Sequence, residues 1–61
     1  MTPLVSIIIP ALNEEDTIGS CLEKVKAGCL KENISYEIIV ADSSTDATPE
    51  IAREYGARVI K

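Results

Sequence analysis

Two segments of the chain carry apolar side chains at nearly every position. Leu4–Ile9 reads Leu-Val-Ser-Ile-Ile-Ile, and Glu37–Ala41 contains Ile-Ile-Val. Continuous β-branched stretches of this length predict strands buried on both faces, not surface strands with alternating polarity. Pro10 is expected to end ladder pairing of the first strand. Between the strands the period changes. Ile18, Cys21, Leu22, Val25 and Cys29 recur at helical spacing and predict an amphipathic helix from Glu14 to about Leu30. Asn13 is the expected N-cap, and Glu14, Glu15 and Asp16 crowd a first turn whose dipole favours negative charge. Gly28 either ends this helix or sits within its last turn. Thr48 and Pro49 predict a second N-terminus, Ile51, Ala52 and Tyr55 its apolar side, and Gly56 its C′ residue. Arg58–Ile60 begins a third strand.

The predicted order is β-α-β-α-β, which makes the class α/β. Strands joined through helices run parallel with right-handed crossovers. Two successive crossovers of one hand put both helices on one sheet face. The other face of two apolar strands then lacks cover within 61 residues. A chain of this size is also marginally stable by itself. Residues 1–61 are therefore expected to be the N-terminal part of a larger domain, and no internal boundary or repeat divides them.

Composition narrows the function. Six basic and ten acidic residues give a net charge of −4, which disfavours a nucleic-acid surface. The chain has no histidine, so it carries no Ser-His or Cys-His nucleophile pair. Cys21 and Cys29, eight positions apart on one helix, lie about 12 Å apart by helical rise. That exceeds disulfide reach, and reduced thiols fit a reducing compartment. There is no signal-peptide core and no apolar stretch of membrane-spanning length. Pro10–Glu14 contains no glycine, which excludes the G-x-G-x-x-G turn, and no Walker A sequence occurs.

Ligands of open parallel sheets bind beyond the carboxyl ends of the strands. Two segments occupy that edge: Pro10-Ala11-Leu12-Asn13-Glu14 and Asp42-Ser43-Ser44-Thr45-Asp46. A carboxylate fixed at a strand end accepts a ring N–H of a nucleobase, and Asp42 is placed for that. Asp42 also suits the simpler task of ordering its own turn. Glu14 is equally explained by its place in a helical first turn, and Asp46 by capping the second helix.

The motif Val5-Ser6-Ile7-Ile8-Ile9-Pro10-Ala11-Leu12-Asn13-Glu14-Glu15 resembles the opening of family 2 glycosyltransferases. Val40-Ala41-Asp42-Ser43-Ser44-Thr45-Asp46-Ala47-Thr48 looks like that family's second-strand loop, at a fitting separation. The resemblance implies the first part of a GT-A fold, a Rossmann-like parallel sheet that binds a nucleotide-diphospho-sugar, UDP- or GDP-linked. It places Pro10, Ala11 and Leu12 against the base and ribose, Glu14 at the nucleoside, Asp42 on the base and Val40 at the pocket wall. It implies a divalent cation, Mg²⁺ or Mn²⁺, for the full enzyme. The ligands of that cation, an Asp-x-Asp pair, are not in this chain, and neither is the later catalytic base. Ala41 stands where many relatives carry an acid, Ser43 where glycine is common, and Leu12 where an aromatic is frequent. The chain alone is expected to be inactive and to need the rest of the catalytic domain. A cytoplasmic location is implied, with membrane association on the cytoplasmic face a property of the full-length protein. The alternative is a non-catalytic nucleotide-binding or self-associating α/β module.

Overall fold

The computed structural model describes residues 4–61. Five elements follow in order: β1 (Leu4–Ala11), α1 (Ile18–Lys31), β2 (Ser35–Asp42), α2 (Thr48–Glu54) and β3 (Arg58–Ile60). The sheet order is β1-β2-β3, and both pairs are parallel. This is the β-α-β-α-β frame expected from the hydrophobic pattern.

Register decides which side chains face the helices. Ile9 pairs with Val40, Ala11 with Asp42, and Val40 with Val59. These positions share the covered face. Ile38, Val40 and Ala11 from the strands meet Ile18 and Leu22 of α1 and Ala52 of α2 in one core. On α1 the buried set is Ile18, Leu22 and Cys29, with Val25 packed at its margin. Cys21, expected on this stripe, is exposed, because its position lies off the axis defined by the other four.

The opposite face has no covering layer among the described residues. Ile8 pairs with Ile39, and Ala41 with Ile60. Leu4, Ile8 and Ile60 are exposed there, Ile8 at 65%. The expected burial on both faces is thus realised on one.

Three local expectations need correction. Pairing runs through Pro10 to Ala11 instead of stopping at Pro10. The Ser43 N–H donates to the Ala11 carbonyl, so Ala11 faces β2 and Pro10, one residue earlier, turns its nitrogen to the free edge. A proline is tolerated in that orientation. Next, α1 starts at Ile18 with Thr17 as N-cap, and no acid lies in its first turn. Residues 12–17 form turns instead, and Asn13 adopts φ +49°. Finally, α2 is preceded by Ala47 at the N-cap, with Thr48 as its first residue. Gly56 takes φ +88° just after α2, as its assigned C′ role requires. Gly28 lies within the last turn of α1, which continues to Lys31. No helix of the described residues is long and apolar enough to cross a membrane.

Candidate functional site

The carboxyl ends of β1 and β2 emit the two loops singled out in the sequence, and hydrogen bonds fasten them together. The Asn13 N–H donates to Ser44 Oγ at 2.7 Å, and the Thr45 N–H donates to Asn13 Oδ1 at 2.8 Å. The Glu14 N–H donates to Thr48 Oγ1 at 2.8 Å. The Ala47 N–H donates to Glu15 Oε1 at 3.0 Å, and the Glu15 N–H to Asp46 Oδ2 at 3.3 Å. These bonds give partners to backbone donors that turn conformation leaves unpaired.

Thr48 is fully buried, and its hydroxyl also donates to Asp46 Oδ1. The Asp46 carboxylate further accepts the Thr48 N–H at 2.9 Å. Asp46 therefore caps the start of α2 from two positions upstream, the role its chemistry suggested. Partial burial pushes the Asp46 carboxyl up, but the Thr48 hydroxyl, the Thr48 N–H and the Glu15 N–H outweigh it and hold the pKa below its ordinary value.

Above this fastened base lies a cleft of about 360 Å³ lined by Pro10, Ala11, Leu12, Glu14, Ala41 and Ser43. Four of the six residues assigned to nucleotide-sugar binding are thus brought together: Pro10, Ala11, Leu12 and Glu14. Leu12 is 63% exposed. Glu14 commits its backbone N–H to Thr48 and its carbonyl to the Thr17 and Ile18 N–H groups. The main chain at Glu14 is fixed while its side chain borders the cleft.

The other two assigned residues are placed differently. Val40 is fully buried in the core under the helices and does not line the cleft. Its pairing with Ile9 and Val59 puts it on the covered face. The neighbouring residue, Ala41, pairs with Pro10 and forms the wall instead. The apolar run Ile38 to Ala41 within β2 concealed this alternation. Ser43 was also missed as a lining residue; its place directly after the strand was the available signal.

Asp42 lies at the end of β2, 2% exposed. Its Oδ2 accepts the Lys61 ammonium at 3.0 Å. Its Oδ1 is buried with no hydrogen-bond partner. The Ser44 hydroxyl, followed by Lys61 and the Ser44 N–H, holds the carboxyl below the ordinary aspartate range against the opposing effect of burial. Asp42 is therefore an ionised, desolvated carboxylate with Oδ2 held by Lys61 and Oδ1 enclosed, and it does not line the cleft. Among the described residues no group of three or more acidic, Cys or His side chains converges to hold a metal ion. Cys21 and Cys29 are both free thiols.

A parallel β-α-β-α-β sheet with a cleft at its carboxyl edge defines a Rossmann-like α/β protein. Comparison with known proteins makes this specific. Residues 6–61 match the profile of glycosyl transferase family 2, and the chain belongs to that family. It is 52% identical over its whole length to the low-salt glycan biosynthesis hexosyltransferase Agl6 of Haloferax volcanii, and covers 15% of that protein. It is 47% identical over 57 residues to the glucosyl-3-phosphoglycerate synthase of Mycolicibacterium smegmatis, covering 92% of this chain and 18% of that one. The crystal structure of mannosyl-3-phosphoglycerate synthase from Rubrobacter xylanophilus superposes with a TM-score of 0.84 at 30% identity, over 95% of this chain and 19% of the other. The fold is accordingly the first part of a GT-A sheet. The chain spans less than a fifth of the length of each of these relatives.

Proposed function

We propose that the chain supplies the nucleoside-recognition part of an enzyme that transfers a sugar from a nucleotide-diphospho-sugar to an acceptor hydroxyl or lipid phosphate. The observation that carries this reading is the cleft between the β1 and β2 loops, where ligands of open parallel sheets bind. In this reading Pro10, Ala11 and Leu12 lie against the base and ribose. Glu14 accepts from the ribose hydroxyls. Asp42 accepts the ring N–H of the base, and Val40 packs in the core behind the site. Uracil and guanine both present a ring N–H beside a carbonyl, which favours UDP- or GDP-linked donors.

A divalent cation, Mg²⁺ or Mn²⁺, belongs to the full enzyme in this reading, where it neutralises charge on the diphosphate. The residues described do not form a site for it, because their carboxylates do not converge in a group of three. No step through the metal is assigned to this chain. The 61 residues by themselves bind the nucleoside portion but transfer no sugar. A cytoplasmic location, with attachment to the cytoplasmic face of a membrane in the full-length protein, belongs to the same reading.

The bare apolar sheet face favours a second reading, a self-associating module without catalysis. Donor screening of the full-length protein separates the two. The transferase reading expects turnover of a UDP- or GDP-sugar that requires Mg²⁺ or Mn²⁺. Sugar transfer by the 61-residue chain alone would refute the division of labour. A full-length protein that binds no nucleoside diphosphate would refute the whole reading.

A further inference from the structure

Three successive backbone N–H groups of the β1 loop end on side chains of the second loop. The Asn13 N–H donates to Ser44 Oγ, the Glu14 N–H to Thr48 Oγ1 and the Glu15 N–H to Asp46 Oδ2. A stretch held in this way takes its shape from its acceptors, because no helix or ladder fixes it. Leu12 and Glu14, on either side of Asn13, line the carboxyl-edge cleft, whereas Ser44, Asp46 and Thr48 do not. The second loop therefore shapes that part of the cleft from behind. Glu15 spends its carboxylate on the Ala47 N–H, and Glu14 is the acid that lines the cleft.

Thr48 is the buried centre of this arrangement. A threonine hydroxyl has one proton to give and lone pairs to receive. Its proton goes to Asp46 Oδ1. Asp46, whose pKa lies below its ordinary value, has no proton to return at neutral pH. The polarity of the 2.8 Å bond to the Glu14 N–H is thereby set, with Thr48 Oγ1 as the acceptor. Thr48 is also fully buried, so an apolar replacement of its own shape leaves no room for water to replace the lost oxygen. The Glu14 N–H must then turn elsewhere for an acceptor, and the main chain turns with it.

We propose that Thr48 is a positioning residue for nucleoside recognition: by accepting the Glu14 N–H on a hydroxyl committed to Asp46, it sets the main chain so that the Glu14 carboxylate meets the ribose hydroxyls. The inference rests on the reading of Glu14 given above. It adds a source of ribose selectivity in a side chain that touches no ligand. A carboxylate held in place before the ligand arrives loses less freedom on binding than one on a loose loop. A ribose, which offers that carboxylate its 2′-hydroxyl, therefore gains more from Thr48 than a 2′-deoxyribose does.

The test is calorimetric titration of the full-length protein with UDP, GDP and their 2′-deoxy counterparts, on wild type and on Thr48→Val, Thr48→Cys, Thr48→Ser and Glu14→Ala. Thermal midpoints are recorded alongside as a check on folding. Thr48→Val keeps the shape without the oxygen. Thr48→Cys puts a weak acceptor in its place and carries the test should Thr48→Val fail to fold. The expected result is that both narrow the margin of the preferred diphosphate over its 2′-deoxy form by about fivefold, a large share of the roughly tenfold worth of one hydrogen bond to a charged group. Thr48→Ser, which keeps the hydroxyl, should retain most of that margin. If Glu14→Ala narrows the margin but Thr48→Val and Thr48→Cys leave it intact, Thr48 has no positioning role and the Glu14 reading survives. Equal weakening of the ribose and 2′-deoxyribose forms by the two Thr48 variants would also overturn the inference, since it would mark a general loosening of the sheet edge. An unchanged margin in Glu14→Ala would remove the reading of Glu14 and the inference with it.

Discussion

The Asn13 N–H donates to the Ser44 hydroxyl at 2.7 Å, joining residues 31 positions apart. The return contact runs from the Thr45 N–H to Asn13 Oδ1. Asn13 thus both donates to and accepts from the second loop, and it does so at φ +49°. Asparagine is among the few residues other than glycine that tolerate this conformation.

Three substitutions at Asn13 should therefore separate backbone strain from side-chain bonding. Asn13→Ala loses both the tolerated conformation and the acceptor, and should destabilise by about 2 kcal/mol. Asn13→Gly relieves the strain but lacks the oxygen, and should cost about 1 kcal/mol. Asn13→Asp keeps an acceptor for the Thr45 N–H and should fall closest to wild type. Urea denaturation of the full-length protein gives the order. Equal losses for Ala and Gly would show that the positive φ carries no cost here.

Asp42 and Asp46 predict an acid-sensitive site. Both carboxyls are held below the ordinary aspartate pKa, Asp42 first by the Ser44 hydroxyl, and Asp46 by Thr48 and Glu15 N–H groups that overcome burial. The folded chain then binds fewer protons than the unfolded chain near these values. Stability from the two groups is complete above the unfolded pKa of about 3.9 and is lost as pH falls through the lower folded values. The comparison is Asp46→Asn with wild type by denaturant midpoint, from about pH 6 to about pH 2. The difference between them should shrink on acidification. A gap that stays constant across that range would mean the Asp46 carboxylate gains nothing from its charge.

Much of this arrangement was legible in the sequence, and the residues that were not share one cause. Ile7-Ile8-Ile9 and Ile38-Ile39-Val40 announced parallel strands, and Gly56 announced the end of α2, because each signal is local. Asn13 was assigned to an N-cap because the residues that favour caps also favour left-handed turns. Its actual partners, Ser44 and Thr45, are distant in sequence, and local pattern carries no trace of them. The same holds for Thr48, whose bond to the Glu14 N–H spans 34 positions. Val40 and Ala41 were not sorted because the run Ile38 to Ala41 is apolar throughout and does not itself mark the inward face. Register with Ile9 and Pro10 resolves it.

Two glycines should respond oppositely to alanine. A Cβ at Gly28 meets no atom within 4 Å, and its φ is not positive. Gly28→Ala should stabilise by about 0.5–1 kcal/mol, by restricting the unfolded chain and favouring the last turn of α1. Gly56 has nearly open space around it, with only Lys26 Nζ at 3.9 Å, but its φ is +88°. Gly56→Ala should destabilise by about 1–2 kcal/mol despite that room. Thermal unfolding of both variants tests whether backbone conformation or packing space governs these positions. A stabilising Gly56→Ala would decide for space.

Ile8 lies on the bare sheet face, paired with Ile39 and 65% exposed. The relatives are several times longer than this chain, and an apolar strand of a parallel sheet is ordinarily covered on both sides. In the full-length protein Ile8 is therefore expected to be buried by residues beyond the 61. Ile8→Lys should then cost about 2–4 kcal/mol, combining lost apolar burial with a charge forced into an apolar layer. Leu30 is the control, because it is 81% exposed but lies on α1 away from that face. Leu30→Lys should change stability by no more than about 0.5 kcal/mol. Denaturant unfolding of the two full-length variants distinguishes the cases. If Ile8→Lys is tolerated as well as Leu30→Lys, the second sheet face meets water in the full protein, and its apolar side chains need another explanation, with self-association the first to test.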